Sequence, residues 1–250
     1  MTTTTVPHPP IVSRGQWLDE RKKLLVREKE LTKHRDSINA ERRRLPMVRI
    51  GKDYVFDGPN GNRSLKALFD GRRQLVVYPF MFDPAWDKGC PGCTSYVNAL
   101  GDLSMLNDRD TTFLLVSRAP LPKLEAYKAK KGWSVPWFSS FGSDFNYDFH
   151  VSFTPEELAK GKVYYNYRMT ERGMDELPGL SVFYKDEAGQ VFHTYSSYAR
   201  GAEDLITTYM VLDLTPKGRN ETGPCHNLMD WVRRHDEYDK VDDPRTCCTE

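Results

Sequence analysis

The stretch "QLVVYPFMFDPAWDKGCPGCTSYVNAL", residues 74–100, decides the fold. It begins with a run of β-forming residues, 74–78, which is typical of a strand buried on both faces of a sheet. Pro79 lacks a backbone N–H and therefore predicts the end of that strand. After a loop, apolar residues recur at steps of four and three from Cys93 to Leu106, which predicts one face of a helix.

The flanking sequence repeats the alternation of strand and helix. Residues 111–117, "TTFLLVS", predict a second buried strand, and residues 120–131 predict a helix closed by Gly132. This order implies parallel strands joined by crossover helices. Farther on, residues 180–196 predict a hairpin, and residues 202–212 predict a helix.

The chain of 250 residues is long enough for one large domain. The Thr- and Pro-rich residues 1–16 predict a disordered lead, and the charged residues 17–46 predict a helical arm. We expect the α/β domain to span residues 47–215, with an aromatic-rich insertion at about 133–178. Residues 216–250 are expected to form a C-terminal extension.

The helical arm carries a narrow apolar stripe. Its members recur every seven residues: Trp17, Leu24, Leu31, Ile38 and Leu45. The second core position of each heptad is polar, which argues against a self-standing coiled coil. We favour a helix laid across the main domain, and the alternative is a dimerisation arm that forms a homodimer.

The composition indicates which partners to exclude and in which compartment the protein lies. A net charge of +1 argues against nucleic acid as the main partner. No apolar stretch approaches the ~20 residues of a membrane helix, and the N-terminus lacks the pattern of a secretory signal. Five cysteines are too few for an extracellular disulfide framework. We therefore expect no membrane association and a reducing, cytoplasmic location.

The sequence "GCPGC" places Cys90 and Cys93 between a strand and a helix. Pro91 suits the first helical position, so Cys90 becomes the N-cap. Unpaired N–H groups and the helix dipole there favour a thiolate, and such a position can lower a cysteine pKa from ~8.5 to ~7, or to ~3.5 in extreme cases. Cys93 is expected one turn farther in, more buried and close enough to form a disulfide. This asymmetry suits thiol–disulfide exchange.

Three alternatives compete with that interpretation. Zinc needs four ligands, and the other cysteines, Cys225, Cys247 and Cys248, offer no second Cys-x-x-Cys, so we expect no metal. An inert buried pair is the second alternative. The third is a peroxidase of the peroxiredoxin type, which needs Thr or Ser where this chain has Asp87, three residues before Cys90. The Cys247–Cys248 pair is either an electron shuttle or incidental.

Several stretches resemble one family over roughly residues 17–220. They are "EKELTKHRD", "ERRRLP", "LFDGRRQLVVYPFMF", "GCPGC", "VSRAPL", "GWSVPWFSS", "SDFNYDF", "VFHTYSSYARG" and "LDLTPKGRNE". The chain resembles the thioredoxin-like family called domain of unknown function 899, whose members are predicted dithiol–disulfide oxidoreductases. The resemblance implies an α/β thioredoxin-like fold, a central mixed sheet flanked by helices, with an N-terminal helical extension. It also implies that Cys90 is the nucleophile and Cys93 the resolving thiol.

Other residues are candidates for supporting or substrate-binding roles. Pro178 precedes the hairpin, where thioredoxin-like folds place a cis-proline, and the alternative is an ordinary turn proline. His193 is either a proton-transfer group or a surface histidine. Arg200 is either an anion-binding residue or part of a local ion pair. The remaining candidates are tryptophans of a substrate groove or of the core: Trp86, Trp133 and Trp137.

Together these patterns predict a dithiol–disulfide oxidoreductase. Its substrate would be a protein disulfide or a small sulfur-containing metabolite. No cofactor-binding glycine motif is present, so we expect no cofactor and a thiol reductant such as glutathione or a thioredoxin. The alternative is a redox-inactive thioredoxin-like binding or scaffold protein.

Overall fold

A computed structural model describes residues 9–171, 174–219 and 232–237 of the chain. The strands in these residues are β1 (Val48–Arg49), β2 (Val55–Gly58), β3 (Gly61–Ser64), β4 (Gln74–Pro79), β5 (Thr111–Ser117), β6 (Trp137–Ser139), β7 (Lys162–Tyr165), β8 (Arg168–Glu171), β9 (Gly179–Lys185) and β10 (Val191–Tyr198). The α-helices are α1 (Arg14–Arg42), α2 (Pro91–Ala99), α3 (Ser104–Asp108), α4 (Leu121–Lys131), α5 (Phe145–Asp148), α6 (Pro155–Ala159) and α7 (Thr207–Leu212).

One mixed sheet organises the molecule, with the strand order β1-β10-β9-β4-β5-β6-β2-β3. Strands β4 and β5 are parallel, and α2 lies in the crossover between them. Strand β9 runs antiparallel to β4, and β10 runs antiparallel to β9. The order β5-β4-β9-β10, with a Cys-x-x-Cys helix after β4, is the arrangement of a thioredoxin fold. The predicted fold class is confirmed.

The sheet separates two hydrophobic clusters because side chains alternate between its faces. The cluster on the side of α2, the dithiol-side cluster, includes Tyr78, Phe80, Cys93, Leu115 and Trp137. The cluster on the other side, the opposite cluster, includes Leu75, Val77, Leu114, Phe183 and Val191. Both faces of β4 are therefore covered, which explains its continuous run of apolar residues.

The predicted helix from Cys93 to Leu106 is wrong as one element, because α2 and α3 are separate. The chain turns at Gly101, whose φ is +65°. Asp102 then accepts a hydrogen bond from the Ser104 backbone N–H at 2.8 Å and starts α3. The helix predicted for residues 202–212 is likewise two pieces, the 3₁₀ turn Ala199–Leu205 followed by α7.

The helix predicted at 120–131 and the hairpin are confirmed as α4 and as β9–β10. Gly132 ends α4 in the left-handed conformation. A β-bulge follows His193 in β10, and the strand runs to Tyr198, beyond the predicted end of the hairpin.

The N-terminal helix α1 does not lie across the domain, so the favoured interpretation is wrong. None of its residues is buried, and Leu31 in the apolar stripe is 68% exposed. Near its end, the Arg42 guanidinium lies 4.8 Å from the Tyr195 ring centroid. The stripe is narrow, and the charged side chains beside it stay solvated. The homodimer remains a prediction.

Helix α1 has 29 residues, yet its many charges give it a low hydropathy. No helix within the described ranges combines the length and apolar character required to cross a bilayer.

The predicted insertion at about 133–178 contributes to the main sheet. Its strand β6 pairs in parallel with β5. Trp137 is buried and donates a hydrogen bond from Nε1 to the Ser117 hydroxyl at 3.0 Å. Trp137 is therefore a core residue, the second of the two alternatives considered for it. The domain boundaries remain predictions.

Candidate dithiol site

The two cysteines of the motif occupy different environments. Cys90 is the N-cap of α2 and Pro91 is the first helical residue, as predicted. Cys90 is partly exposed, whereas Cys93 is buried in the dithiol-side cluster. Both are free thiols. The Cys90 backbone N–H donates to the Met81 carbonyl at 3.1 Å, which joins the motif to the loop after β4.

Hydrogen bonds to the sulfur stabilise the thiolate form of Cys90. The largest contribution comes from the Cys93 side chain, and the backbone N–H groups of Cys93 and Gly92 also donate to it. The positive charge of Arg234 adds to this effect. Burial opposes it, and the result is a Cys90 pKa lowered to about 7.

The environment of Cys93 has the opposite effect. Burial raises the pKa of Cys93 well above its usual value, and the neighbouring Cys90 raises it further. A hydrogen bond from the Tyr78 side chain partly offsets that rise. Cys90 is therefore the more acidic of the two thiols, and Cys93 keeps its proton at neutral pH.

Two stacked tyrosines lie beside Cys93, and sequence reasoning missed both. The rings of Tyr78 and Tyr96 are 4.1 Å apart and nearly parallel. The Tyr96 hydroxyl is buried and has no hydrogen-bond partner within the described part of the chain. Only the position of Tyr78 on the α2-facing side of β4 signalled its proximity.

A network of hydrogen bonds connects the Cys-x-x-Cys motif to α4 and to Arg234. The Thr94 hydroxyl donates to the Cys90 carbonyl at 2.8 Å and lies 2.9 Å from the Tyr127 hydroxyl on α4. Arg234 donates from Nε to the Tyr127 hydroxyl at 3.2 Å. It also donates from Nη2 to the Gly89 carbonyl at 2.6 Å.

Residues 232–237, the C-terminal segment, pack beside this network. Val232 is buried, and Asp236 forms an ion pair with Lys131, whose side chain is 1% exposed. Arg234 pairs with Glu237 at 3.1 Å. The sequence predicted only an extension here, because nothing in its composition indicates where the segment packs.

Trp86 lies near the motif, and Pro178 lies just before β9. The Trp86 side chain is partly buried against the dithiol-side cluster, and its carbonyl accepts from Lys123 Nζ at 2.6 Å. Pro178 is followed by β9, and its carbonyl accepts from the Tyr165 hydroxyl at 2.7 Å. The chain has no cis peptide bond within its described residues, so the cis-Pro178 prediction is wrong.

The structure does not bring His193 to the thiols. Its ring packs against Phe149 and Phe183, on the side of the opposite cluster. The Nε2 atom lies 2.7 Å from the Ser196 hydroxyl, and burial lowers the pKa of this histidine. Arg200 forms the local ion pair that was its alternative, with Nε 2.9 Å from Glu203.

A second polar cluster, which no sequence pattern indicated, lies past the end of β5. Arg118 Nη1 lies 2.8 Å from the Glu176 carboxylate and 3.1 Å from the Asp83 carboxylate. Asp83 belongs to the loop that joins β4 to the Cys-x-x-Cys motif. The Ser152 hydroxyl donates to Glu176 at 2.8 Å. Burial raises the pKa of Glu176 to about 7. These bonds fix the start of the loop that carries Cys90.

The zinc alternative requires ligands in addition to Cys90 and Cys93. Cys225, Cys247 and Cys248 lie outside the described residues. Within the ranges that are described, no three His, Cys, Asp or Glu side chains gather in a group able to hold a metal ion.

Fold and site define a thioredoxin-fold protein with a Cys-x-x-Cys motif at the start of a helix. Residues 6–238 match the family model described as bacterial protein of unknown function (DUF899). The chain belongs to this family, as the resemblance implied. A search of curated proteins returned no match.

Solved structures give distant similarities. The bacterioferritin comigratory protein of Xanthomonas campestris is 16% identical, with a TM-score of 0.41 over 62% of this chain and 86% of that one. Peroxidoxin BcpB of Mycobacterium tuberculosis is 16% identical, with a TM-score of 0.37 over 67% and 96%. A candidate thiol:disulfide interchange protein DsbE of Chlorobium tepidum is 11% identical, with a TM-score of 0.39 over 66% and 94%.

Proposed function

We propose that the protein is a dithiol–disulfide oxidoreductase. The observation that carries the proposal is the opposite tuning of two adjacent thiols. Cys90 is partly exposed and has a pKa lowered to about 7, whereas Cys93 is buried and holds its proton. A nucleophile and a resolving thiol need this difference.

Cys90 and Cys93 together supply the two electrons that reduce one substrate disulfide. The Cys90 thiolate attacks one sulfur of a substrate disulfide, and the other sulfur leaves as a thiolate that takes up a proton. Cys93 then loses its proton and attacks Cys90, which releases the second substrate thiol and leaves a Cys90–Cys93 disulfide. The substrate gains two electrons. A thiol reductant, such as glutathione or a thioredoxin, returns two electrons to the protein.

The substrate class is either a protein disulfide or a small sulfur-containing metabolite. Insulin interchain disulfides and oxidised glutathione represent the two classes in an assay. A thioredoxin-like domain of residues 47–215 and a cytoplasmic location are part of the same proposal.

The test compares wild type with Cys90→Ser and Cys93→Ser. We expect Cys90→Ser to abolish disulfide reduction, and Cys93→Ser to trap a mixed disulfide detectable as added mass on Cys90. The wild-type rate should rise with pH through about 7, as the Cys90 pKa requires. Equal activity in wild type and Cys90→Ser would overturn the proposal. A Cys90 that resists alkylation would favour the redox-inactive scaffold instead.

A further inference from the structure

The backbone immediately before Cys90 is held by a residue far along the chain. Arg234 donates to the Gly89 carbonyl from Nη2 at 2.6 Å and from Nε at 3.2 Å. A planar guanidinium that binds one carbonyl through two N–H groups fixes its direction as well as its distance. Because Gly89 and Cys90 share a peptide bond, this contact restricts where the Cys90 sulfur can lie.

The same side chain reaches the far side of the motif. Its Nε also donates to Tyr127, whose hydroxyl lies 2.9 Å from that of Thr94. Thr94 in turn donates to the Cys90 carbonyl. Arg234 is thus connected to the backbone on both sides of the Cys90 α-carbon.

Arg234 also places a positive charge close to the sulfur. Its side chain is 14% exposed, so water screens this charge only in part. Glu237 lies on the other side of the guanidinium, 3.1 Å from Nη1, and holds the arginine in place. The guanidinium charge acts on Cys90 in the direction that favours the thiolate.

We propose that Arg234 is a positioning residue for Cys90, fixing the carbonyl before it and stabilising its thiolate through charge. The inference rests on the proposed function, since it concerns the nucleophile of that reaction. Arginine suits the role because it cannot lose its proton and its fork reaches Gly89, Tyr127 and Glu237 together.

Cys90 titrates among several other groups, and its pH midpoint can be separated from theirs. They are Cys93 and Tyr96 on α2, Tyr78 on β4, Tyr127 on α4, Lys88 in the preceding loop, and Arg234 with Glu237 in the C-terminal segment. Burial raises the pKa of Cys93, Tyr78 and Tyr96, so their protons stay on through neutral pH. A midpoint near 7 in thiol alkylation therefore belongs to Cys90.

The experiment measures the alkylation rate of Cys90 against pH in the reduced full chain, with the label located by mass spectrometry. We expect Arg234→Gln to raise the midpoint by about one pH unit, which lowers the thiolate fraction at pH 7 roughly fivefold. Arg234→Lys keeps the positive charge but loses the planar guanidinium, so its midpoint should fall between those of wild type and Arg234→Gln.

Arg219→Met is the matched control. The Arg219 side chain is 13% exposed and pairs with Asp213 and Glu203, so its loss should disturb packing comparably. We expect the Cys90 midpoint of this variant to equal that of wild type. An equal midpoint shift in Arg219→Met and Arg234→Gln would reduce Arg234 to a general packing role and overturn the inference.

The possible failures are distinguishable. A wild-type midpoint of about 8.5 or more contradicts the proposed function itself. A wild-type midpoint near 7 that Arg234→Gln leaves unchanged overturns only the role of Arg234. If Arg234→Gln lacks the wild-type far-UV circular dichroism, Arg234→Lys decides, and a midpoint equal to wild type then overturns the inference.

Discussion

Two residues of one type, three positions apart, acquire opposite chemistry here. Cys90 lies where a helix begins and receives hydrogen bonds from its first turn, and Cys93 lies inside the hydrophobic cluster. Lowering a thiol pKa from about 8.5 to about 7 corresponds to about 2 kcal/mol in favour of the thiolate. A thiol with a pKa of about 7 is about half ionised at neutral pH, so a thiolate forms there without a separate general base.

At the same scale, we predict that Tyr78, and not its stacked neighbour Tyr96, affects the rate at which Cys93 attacks the mixed disulfide. Tyr78→Phe removes a hydrogen-bond donor from Cys93, so attack by Cys93 on the mixed disulfide should slow about fivefold to tenfold. Acid-quenched mass spectrometry in a single turnover would follow the decay of the mixed disulfide on Cys90. Formation of that mixed disulfide should be much less affected.

Tyr96→Phe is the control for this prediction, because it makes the same change in the stacked neighbour. The Tyr96 hydroxyl has no partner within the described residues, so its removal should leave the resolving step unchanged. The variant should be as stable as wild type or more so, since a buried unsatisfied hydroxyl costs about 1–3 kcal/mol. Equal slowing in both variants would show that stacking, and not the Tyr78 hydroxyl, governs Cys93.

At the scale of elements, local patterns predicted β4, β5, α4 and the hairpin, because their signals are contiguous in sequence. The break at Gly101 was missed for a physical reason. Leu100, Leu103 and Leu106 still pack against the dithiol-side cluster although α2 and α3 are separate. Apolar periodicity reports which face is buried, and it does not report whether the helix is continuous.

The candidate site was predictable only where it is local. The Cys-x-x-Cys spacing and Pro91 together indicate a helix N-terminus, as the structure has it. Tyr127 and Arg234 reach the motif from distant parts of the chain, and no local pattern marks them. His193 shows the converse error, since its place in the hairpin did not reveal which face of the sheet it occupies.

The loop that joins β4 to α2 carries an element-scale prediction. A Cβ at Gly89 would lie 2.6 Å from the Phe80 ring, too close for the loop to keep its path. We expect Gly89→Ala to lower the free energy of unfolding in urea by about 1–3 kcal/mol. Displacing the Gly89 carbonyl from Arg234 should also lower Cys90 alkylation at pH 7.

Gly51→Ala is the control, because a Cβ there would meet nothing within 4 Å and its φ is not in the left-handed region. Its effect on stability should stay within about 0.5 kcal/mol. If Gly89→Ala were equally mild in both measurements, the close packing of the loop on Phe80 would be unimportant for the site.

At the scale of the whole molecule, the length of a segment does not determine how much it contributes to the core. Helix α1 spans 29 residues and buries none of them. The C-terminal segment, residues 232–237, holds a buried valine, the Lys131–Asp236 ion pair and the contact with Gly89. The dithiol site therefore depends on residues 232–237 more than on α1.

The last prediction compares deletions at the two ends. Removing residues 1–41 should leave the free energy of unfolding within about 0.5 kcal/mol of wild type, since it deletes exposed helix and spares Arg42. Removing residues 232–250 should lower the free energy of unfolding by at least about 2 kcal/mol, because the buried Lys131 loses its ion-pair partner Asp236. The same deletion should raise the Cys90 pKa, because the positive charge of Arg234 is lost. Urea unfolding and pH-dependent alkylation measure the two effects.

Sedimentation equilibrium on the same deletion variants separates the two roles considered for α1. If the helix is the predicted dimerisation arm, the mass should fall from two copies to one when residues 1–41 are removed, while the stability of the remaining domain is unchanged. A single copy in both cases would contradict the homodimer and leave the stability prediction intact. A large loss of stability on removing 1–41 would contradict the placement of α1 outside the core, because a helix with no buried residue has little apolar packing to lose.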